Sequence, residues 1–218
     1  MPAGLVYAKA FVANDGTLAK TTFRNVPSFA YLLQQSVTVP DLGDLKFDIS
    51  FGGAFYAIVD AQPLELGLNS DNYAKLIEYG RKIKKAILSA SHITIKHPFE
   101  EDLSSLFGVI FTAPPLDRAN YSRNVTVFED GDVDRSSCGT GVSARAALHH
   151  VKGELKPSEE IRIESIVGSV MSVKILEEVE FGGYAAIVPE VGGEAFITGR
   201  HELCFHEGDI FKEGFKLR

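Results

Sequence analysis

Cys138 is the side chain in this sequence best placed to do chemistry. It follows Asp134-Arg135-Ser136-Ser137 and precedes Gly139-Thr140-Gly141. Upstream, Asn124 to Phe128 alternates β-branched residues and reads as a strand. Downstream, Val142 to Lys152 carries Ala144, Ala146, Ala147 and Leu148, reads as a helix and stops at Gly153. A strand therefore runs into a thiol at a helix start. The first amides of a helix have no internal partner and carry partial positive charge. They stabilise a thiolate, and they can also hold a carboxylate. Gly139 and Gly141 keep side chains out of a ligand's way, and Asp134 offers an acceptor for a substrate ammonium. A nucleophile or base in an activating setting fits this pattern. The competing reading is a small buried cysteine before a tight turn.

Other clusters carry less. His97-Pro98-Phe99-Glu100-Glu101-Asp102 has one histidine and three acids but lacks the spacing of a metal site, so it reads as a polar loop. His149-His150 are helix neighbours whose side chains point about 100° apart, which makes them poor co-ligands. No metal is expected. Arg81, Lys82, Lys84 and Lys85 could mark an anion site, but a solvated helix face is the plainer account. Cys204, within Leu203-Cys204-Phe205, alternates with apolar neighbours and is expected in a core.

Twenty-nine acidic against 22 basic residues, with no basic stripe, argue against nucleic acid as a partner. No apolar run approaches the roughly 18 residues of a membrane span, and no secretory signal opens the chain. Two cysteines do not make a secreted disulfide framework. A cytoplasmic, reduced setting follows. With 218 residues and 45% hydrophobic content the chain can bury a sizeable core.

The elements that must position the thiol alternate strands with two helices. Leu5 to Ala13 and Thr17 to Val26 flank an Asn14-Asp15-Gly16 turn as a hairpin. Ser36 to Val39, Lys46 to Ser50 and Phe55 to Val59 continue as a meander. Ser70 to Ala90 is a helix capped by Ser70. Strands follow at Ile93 to Ile95 and Leu106 to Thr112. After the Cys138 helix come strands at Ile161 to Ile166, Ser169 to Ile175, Ala185 to Val188 and Ala195 to Thr198.

The run Asp134 to Gly141 with Ser143-Ala144-Arg145 resembles the second-cysteine motif of the proline racemase family, which includes proline racemases, hydroxyproline 2-epimerases and trans-3-hydroxy-L-proline dehydratases. Further segments resemble family landmarks in family order: Pro2 to Val6, Asn25 to Phe29, Phe51 to Val59, Glu164 to Ser169 and Gly214-Phe215. The resemblance implies an α+β, diaminopimelate-epimerase-like fold in which a mixed sheet curls around a central helix. It implies one complete domain over residues 28–199, with 1–27 and 200–218 as remnant strands of another. The family's first motif, a Met-Cys-Gly-His stretch, has no counterpart, so the chain is expected to be an N-terminally shortened member.

The resemblance also implies a cofactor-independent racemase or epimerase of proline or hydroxyproline. Cys138 would exchange the Cα proton, Asp134 would bind the secondary ammonium, and the amides of Gly139 and Thr140, with Gly141 as a third candidate, would hold the carboxylate. Phe128 matches a position that packs on the substrate ring; plain core is its other reading. Without a second cysteine the activity is expected to be impaired. A dehydratase acting on trans-3-hydroxyproline and a silent imino-acid-binding half-enzyme are the alternatives. Dehydratases usually carry threonine where Cys138 stands, which favours the racemase branch, whereas Glu101 to Gly108 resembles dehydratase sequences. Ser137 replaces a usual proline and is expected to loosen the turn; Val142 replaces a frequent threonine. A homodimer is expected by family analogy. The enzymatic reading requires Cys138 open to solvent and Asp134 facing the same hollow.

Overall fold

A computed structural model describes residues 3–215. Its strands are β1 (Tyr7–Val12), β2 (Leu18–Arg24), β3 (Ser28–Val39), β4 (Gly43–Phe51), β5 (Phe55–Asp60), β6 (Leu106–Ala113), β7 (Ser122–Phe128), β8 (Glu160–Glu164), β9 (Val170–Phe181) and β10 (Tyr184–Gly193). The helices are α1 (Tyr73–Ser89) and α2 (Gly139–Val151). All ten strands join one mixed sheet in the order β1-β2-β10-β3-β4-β5-β6-β7-β8-β9, and β9 also pairs with β10. β3 to β10 therefore close into a ring of eight strands, and the β1–β2 hairpin continues from the edge of β10. β5–β6 and β7–β8 are parallel; the other pairings are antiparallel.

Strand alternation decides which helix each side chain meets. On β5, Phe55, Ala57 and Val59 join the cluster containing Leu76, Ile83 and Ile87 of α1. Tyr56 and Ile58 turn the other way, onto Ala144 and Leu148 of α2. β5 is buried on both faces, which is why it reads as a continuous apolar run. α1 is amphipathic, with Leu76, Gly80, Ile83 and Ile87 buried on one stripe. α2 is buried from Gly141 through His149, as a helix inside a ring must be. Val142, Ala146 and Ala147 face Ile163, Val173, Ile175 and Ile187 of β8–β10. Its small residues permit close approach. A Cβ on Gly52, in the β4–β5 turn, would lie 2.2 Å from the Thr140 carbonyl oxygen and 2.4 Å from the Ala144 nitrogen.

The α+β fold with a central helix stands as expected, and the β1–β2 hairpin forms around its Asn-Asp-Gly turn. Several boundaries differ. β3 begins at Ser28, eight residues before the expected start at Ser36; Gln34 takes a positive φ of 52° and the register with β4 shifts twice, which breaks the alternation that marks a strand. Ile93 to Ile95 is not a strand; the Tyr31 hydroxyl donates to the Thr94 carbonyl and accepts from the Lys96 amide, in place of a neighbouring strand. The cap before α1 is Asn69, not Ser70: its Oδ1 accepts the Asn72 amide at the start of a short 3-10 turn. Ala195 to Thr198 is irregular, with Phe196 79% and Ile197 89% exposed, since no described strand lies alongside. Cys204 is likewise exposed instead of packed in a core. A hairpin over Gly182-Gly183, both at positive φ, joins β9 to β10 and escaped notice in the sequence.

Candidate active site

Strand β7 brings the chain to the site. After Phe128 a tight loop turns back, with the Phe128 amide donating to the Asp132 carbonyl, and the Asp134 amide donating to the Thr126 carbonyl. Arg81 donates to the Asp130 carbonyl and Lys84 lies 3.3 Å from Glu129. The cationic run of α1 is thus not merely a solvated face; two of its members fasten the loop that leads into the site.

Asp134 then organises the turn. Its Oδ1 accepts from the Ser136 amide and the Ser136 hydroxyl, both at 2.8 Å, and the Ser136 oxygen accepts the Cys138 amide at 3.0 Å. Cys138 sits at φ 68°, ψ 107°, a conformation that is strained for a residue with a Cβ. Ser137 does not loosen the turn: its buried hydroxyl donates to the Ile163 carbonyl of β8 at 2.6 Å, and its own carbonyl accepts from Asn124. Arg145 of α2 completes the support, donating to Ser122 and Asn124 at 2.7 Å each.

The first helical bond runs from the Val142 amide to the Cys138 carbonyl at 2.8 Å. The amides of residues 139–141 therefore lie outside the ladder. The Gly141 amide lies near enough to the Cys138 sulfur to favour its anion, and the amides of Gly139 and Thr140 are free to take an anion. Phe23 of β2 lies over Gly139, where an added Cβ would meet its ring at 2.9 Å. Asp134, Gly139, Thr140 and Phe128 are all half-buried around the sulfur's end of α2, and Phe128 packs against the cluster that holds Cys138, Tyr56 and Ile110.

One expectation fails here. Cys138 is 3% exposed, so the thiol is not open to solvent. Burial is the dominant influence and pushes the thiol above its ordinary value; hydrogen bonds from Tyr56, Thr140 and the Gly141 amide oppose it, and the charge of Asp134 adds to the rise. Desolvation outweighs the helix start. The same burial makes the thiolate, once formed, a stronger base.

The His149-His150 pair is engaged elsewhere. His149 Nε2 meets the Arg145 guanidinium at 2.9 Å and its Nδ1 meets Glu154 at 2.6 Å, while His150 meets Glu178 at 3.0 Å. His97 uses Nδ1 to accept the amides of Phe99 and Glu100 and is walled by phenylalanines.

The family model described as Proline racemase matches residues 1–216. The chain belongs to the proline racemase family. All of it aligns, at 44% identity, with 61% of a trans-3-hydroxy-L-proline dehydratase from Colwellia psychrerythraea, and at 40% identity with 64% of a proline racemase from Clostridioides difficile. A crystal structure of a hydroxyproline epimerase from Agrobacterium vitis, with bound trans-4-hydroxy-L-proline, superposes with a TM-score of 0.87 at 34% identity, over 99% of this chain and 60% of that one. The chain thus spans about three fifths of the length of the relatives it matches.

Two residues of this candidate site were missed in the sequence. Tyr56 lies 82 positions upstream of Cys138, and nothing in local spacing connects them. Ser136 reads as motif filler, although Asp-x-Ser is a known signal for a side chain bonding to the amide two residues on.

Proposed function

We propose that this chain carries the second-cysteine half of a cofactor-independent racemase or epimerase site for proline or hydroxyproline. The observation that carries the reading is the arrangement of Asp134, the amides of Gly139 and Thr140, and the sulfur of Cys138 at one end of a helix, in a chain of this family. The burial of that sulfur fails the requirement of an open thiol and favours the second reading, a silent half-site that binds an imino acid without exchange. Asp134 keeps Oδ2 without a partner among the described residues and pairs with the secondary ammonium. The two amides take the carboxylate and Phe128 packs on the ring. The Cys138 thiolate then takes the Cα proton to become the thiol, and the electron pair left on Cα delocalises into the clamped carboxylate. Return of a solvent-derived proton to the same face completes exchange without inversion. Inversion needs a second acid on the opposite face, which this chain does not bring; residues 28–199 act as one domain, and residues 1–27 and 200–218 belong to the unit that supplies that face. Of these, residues 1–2 and 216–218 lie outside the described residues.

A cytoplasmic setting, where the free thiols of Cys138 and Cys204 persist, and a homodimer complete the proposal. The dehydratase alternative draws support from the relative that bears that name, but it gives Cys138 no work. The deciding experiment incubates the protein with L-proline and with trans-4-hydroxy-L-proline in deuterium oxide and reads Cα deuterium by NMR. Exchange that disappears in Cys138→Ser supports the reading. Absence of exchange with both substrates overturns it, and water loss from trans-3-hydroxyproline would put the dehydratase in its place.

A further inference from the structure

Tyr56 is 1% exposed, near the start of the apolar strand β5, and is the one residue there that brings a hydroxyl to the end of α2. Its oxygen lies 2.7 Å from Thr140 Oγ1 and 3.7 Å from Cys138 Sγ, and Thr140 Oγ1 lies 3.7 Å from the same sulfur. The three atoms form a closed triangle. We propose that the Tyr56 hydroxyl, paired with that of Thr140, is the positioning group that holds Cys138 Sγ and keeps a hydroxyl donor on the sulfur as it ionises.

Proton counting supports this assignment. In the thiol state three hydrogens, one on sulfur and one on each hydroxyl, serve three edges, so each group donates once and accepts once. When the sulfur loses its hydrogen, two hydrogens remain. One keeps the oxygen–oxygen edge and the other stays on, or turns to, the anionic sulfur, where the bond becomes charge-assisted and stronger than its neutral counterpart. The triangle therefore favours the thiolate without leaving any member unpaired. Burial holds the Tyr56 phenol well above its usual range, and the nearby Cys138 charge adds to this, so it keeps its proton when the sulfur ionises. The Phe107 ring, edge-on to Tyr56 with centroids 6.0 Å apart, fixes the phenol's plane. With its hydroxyl committed to Tyr56 and the sulfur, Thr140 offers a ligand only its amide.

The inference rests on Cys138 being the working base, and its test does not need turnover. In the Cys204→Ser background, Cys138 ionisation is followed by its 13Cβ shift across the alkaline range, and its alkylation rate is measured near about pH 8. Tyr56→Phe, with fold checked by circular dichroism, is expected to move the titration up by about one pH unit and slow alkylation about tenfold. Thr140→Val is expected to move both in the same direction. The double variant is expected to fall short of the sum, because both hydroxyls act through one triangle. Titrations and rates that match the parent in Tyr56→Phe overturn the proposal; if that variant fails to fold, parent-like values in Thr140→Val do so. Shifted values in a protein that exchanges no Cα proton leave the triangle standing and sink the catalytic reading alone.

Discussion

Residue-scale support for the site lies largely in groups that never reach it. Glu164, at the end of β8, is 3% exposed and accepts from the amides of Leu116 and Asp117, from Asn120, and from the Arg123 guanidinium at 3.3 Å. Burial alone would raise its carboxyl, but this set of donors wins and holds it below the usual range. Glu164→Gln leaves Arg123 buried without a counter-charge and is expected to destabilise the fold by about 3 kcal/mol, read as a lower urea midpoint at unchanged slope. Cys138, Asp134 and the glycines were legible because their spacing is local. Burial of the thiol was not, since it depends on Tyr56 and Ile110, which arrive from two distant strands.

At the scale of elements, helix α2 is set by close backbone approach. Gly52 lets the β4–β5 turn reach the first turn of α2, and Asn25 bridges the two by donating to the Gly52 carbonyl and the Ser143 hydroxyl, each at 2.8 Å. Gly52→Ala places a carbon against backbone atoms that cannot swing away. It is expected to cost about 2 kcal/mol and to displace Thr140, so a thermal melt should show both a lower midpoint and loss of any stabilisation by added proline analogue. Elements with a strict period were readable in the sequence, as α1 and β7 are. β3 was readable only at its far end, because its bulges break the period, and the strand expected at Ile93 to Ile95 failed because a tyrosine side chain does the pairing. Apolar alternation at Leu203-Cys204-Phe205 states what a segment is suited to, not that a neighbour is present to receive it.

For the molecule as a whole, the enclosed polar line through α2 governs the response to acid. Arg145 donates to His149 Nε2, so the Nδ1 hydrogen faces Glu154, and the imidazole is neutral. Burial first, and Arg145 next, push His149 from 6.5 down to about 4. In that interval the unfolded chain binds a proton that the folded one refuses, so stability rises with pH. Between about pH 6.5 and about pH 4 the fold is expected to lose on the order of 3 kcal/mol. Urea titrations across the interval check this, and His149→Gln should flatten the slope. No helix among the described residues is long and apolar enough to cross a membrane.

The ring is not equally strong all the way round. β3 meets β10 through two residue pairs, Ala186 with Phe29 and Ile187 with Ser28, and β7 meets β8 through two more, Ser122 with Ile163 and Arg123 with Glu164. Everywhere else the ladders are longer. The enclosure is thus two curved shells, β3–β7 and β8–β10, stitched along two short seams with α2 as the peg between them. The β9–β10 shell folds locally around its glycine pair, whereas the β3–β10 seam joins residues far apart in the chain. It follows that this latch shuts late in folding and opens first, and that the cysteine-bearing peg keeps its place only while both stitches hold.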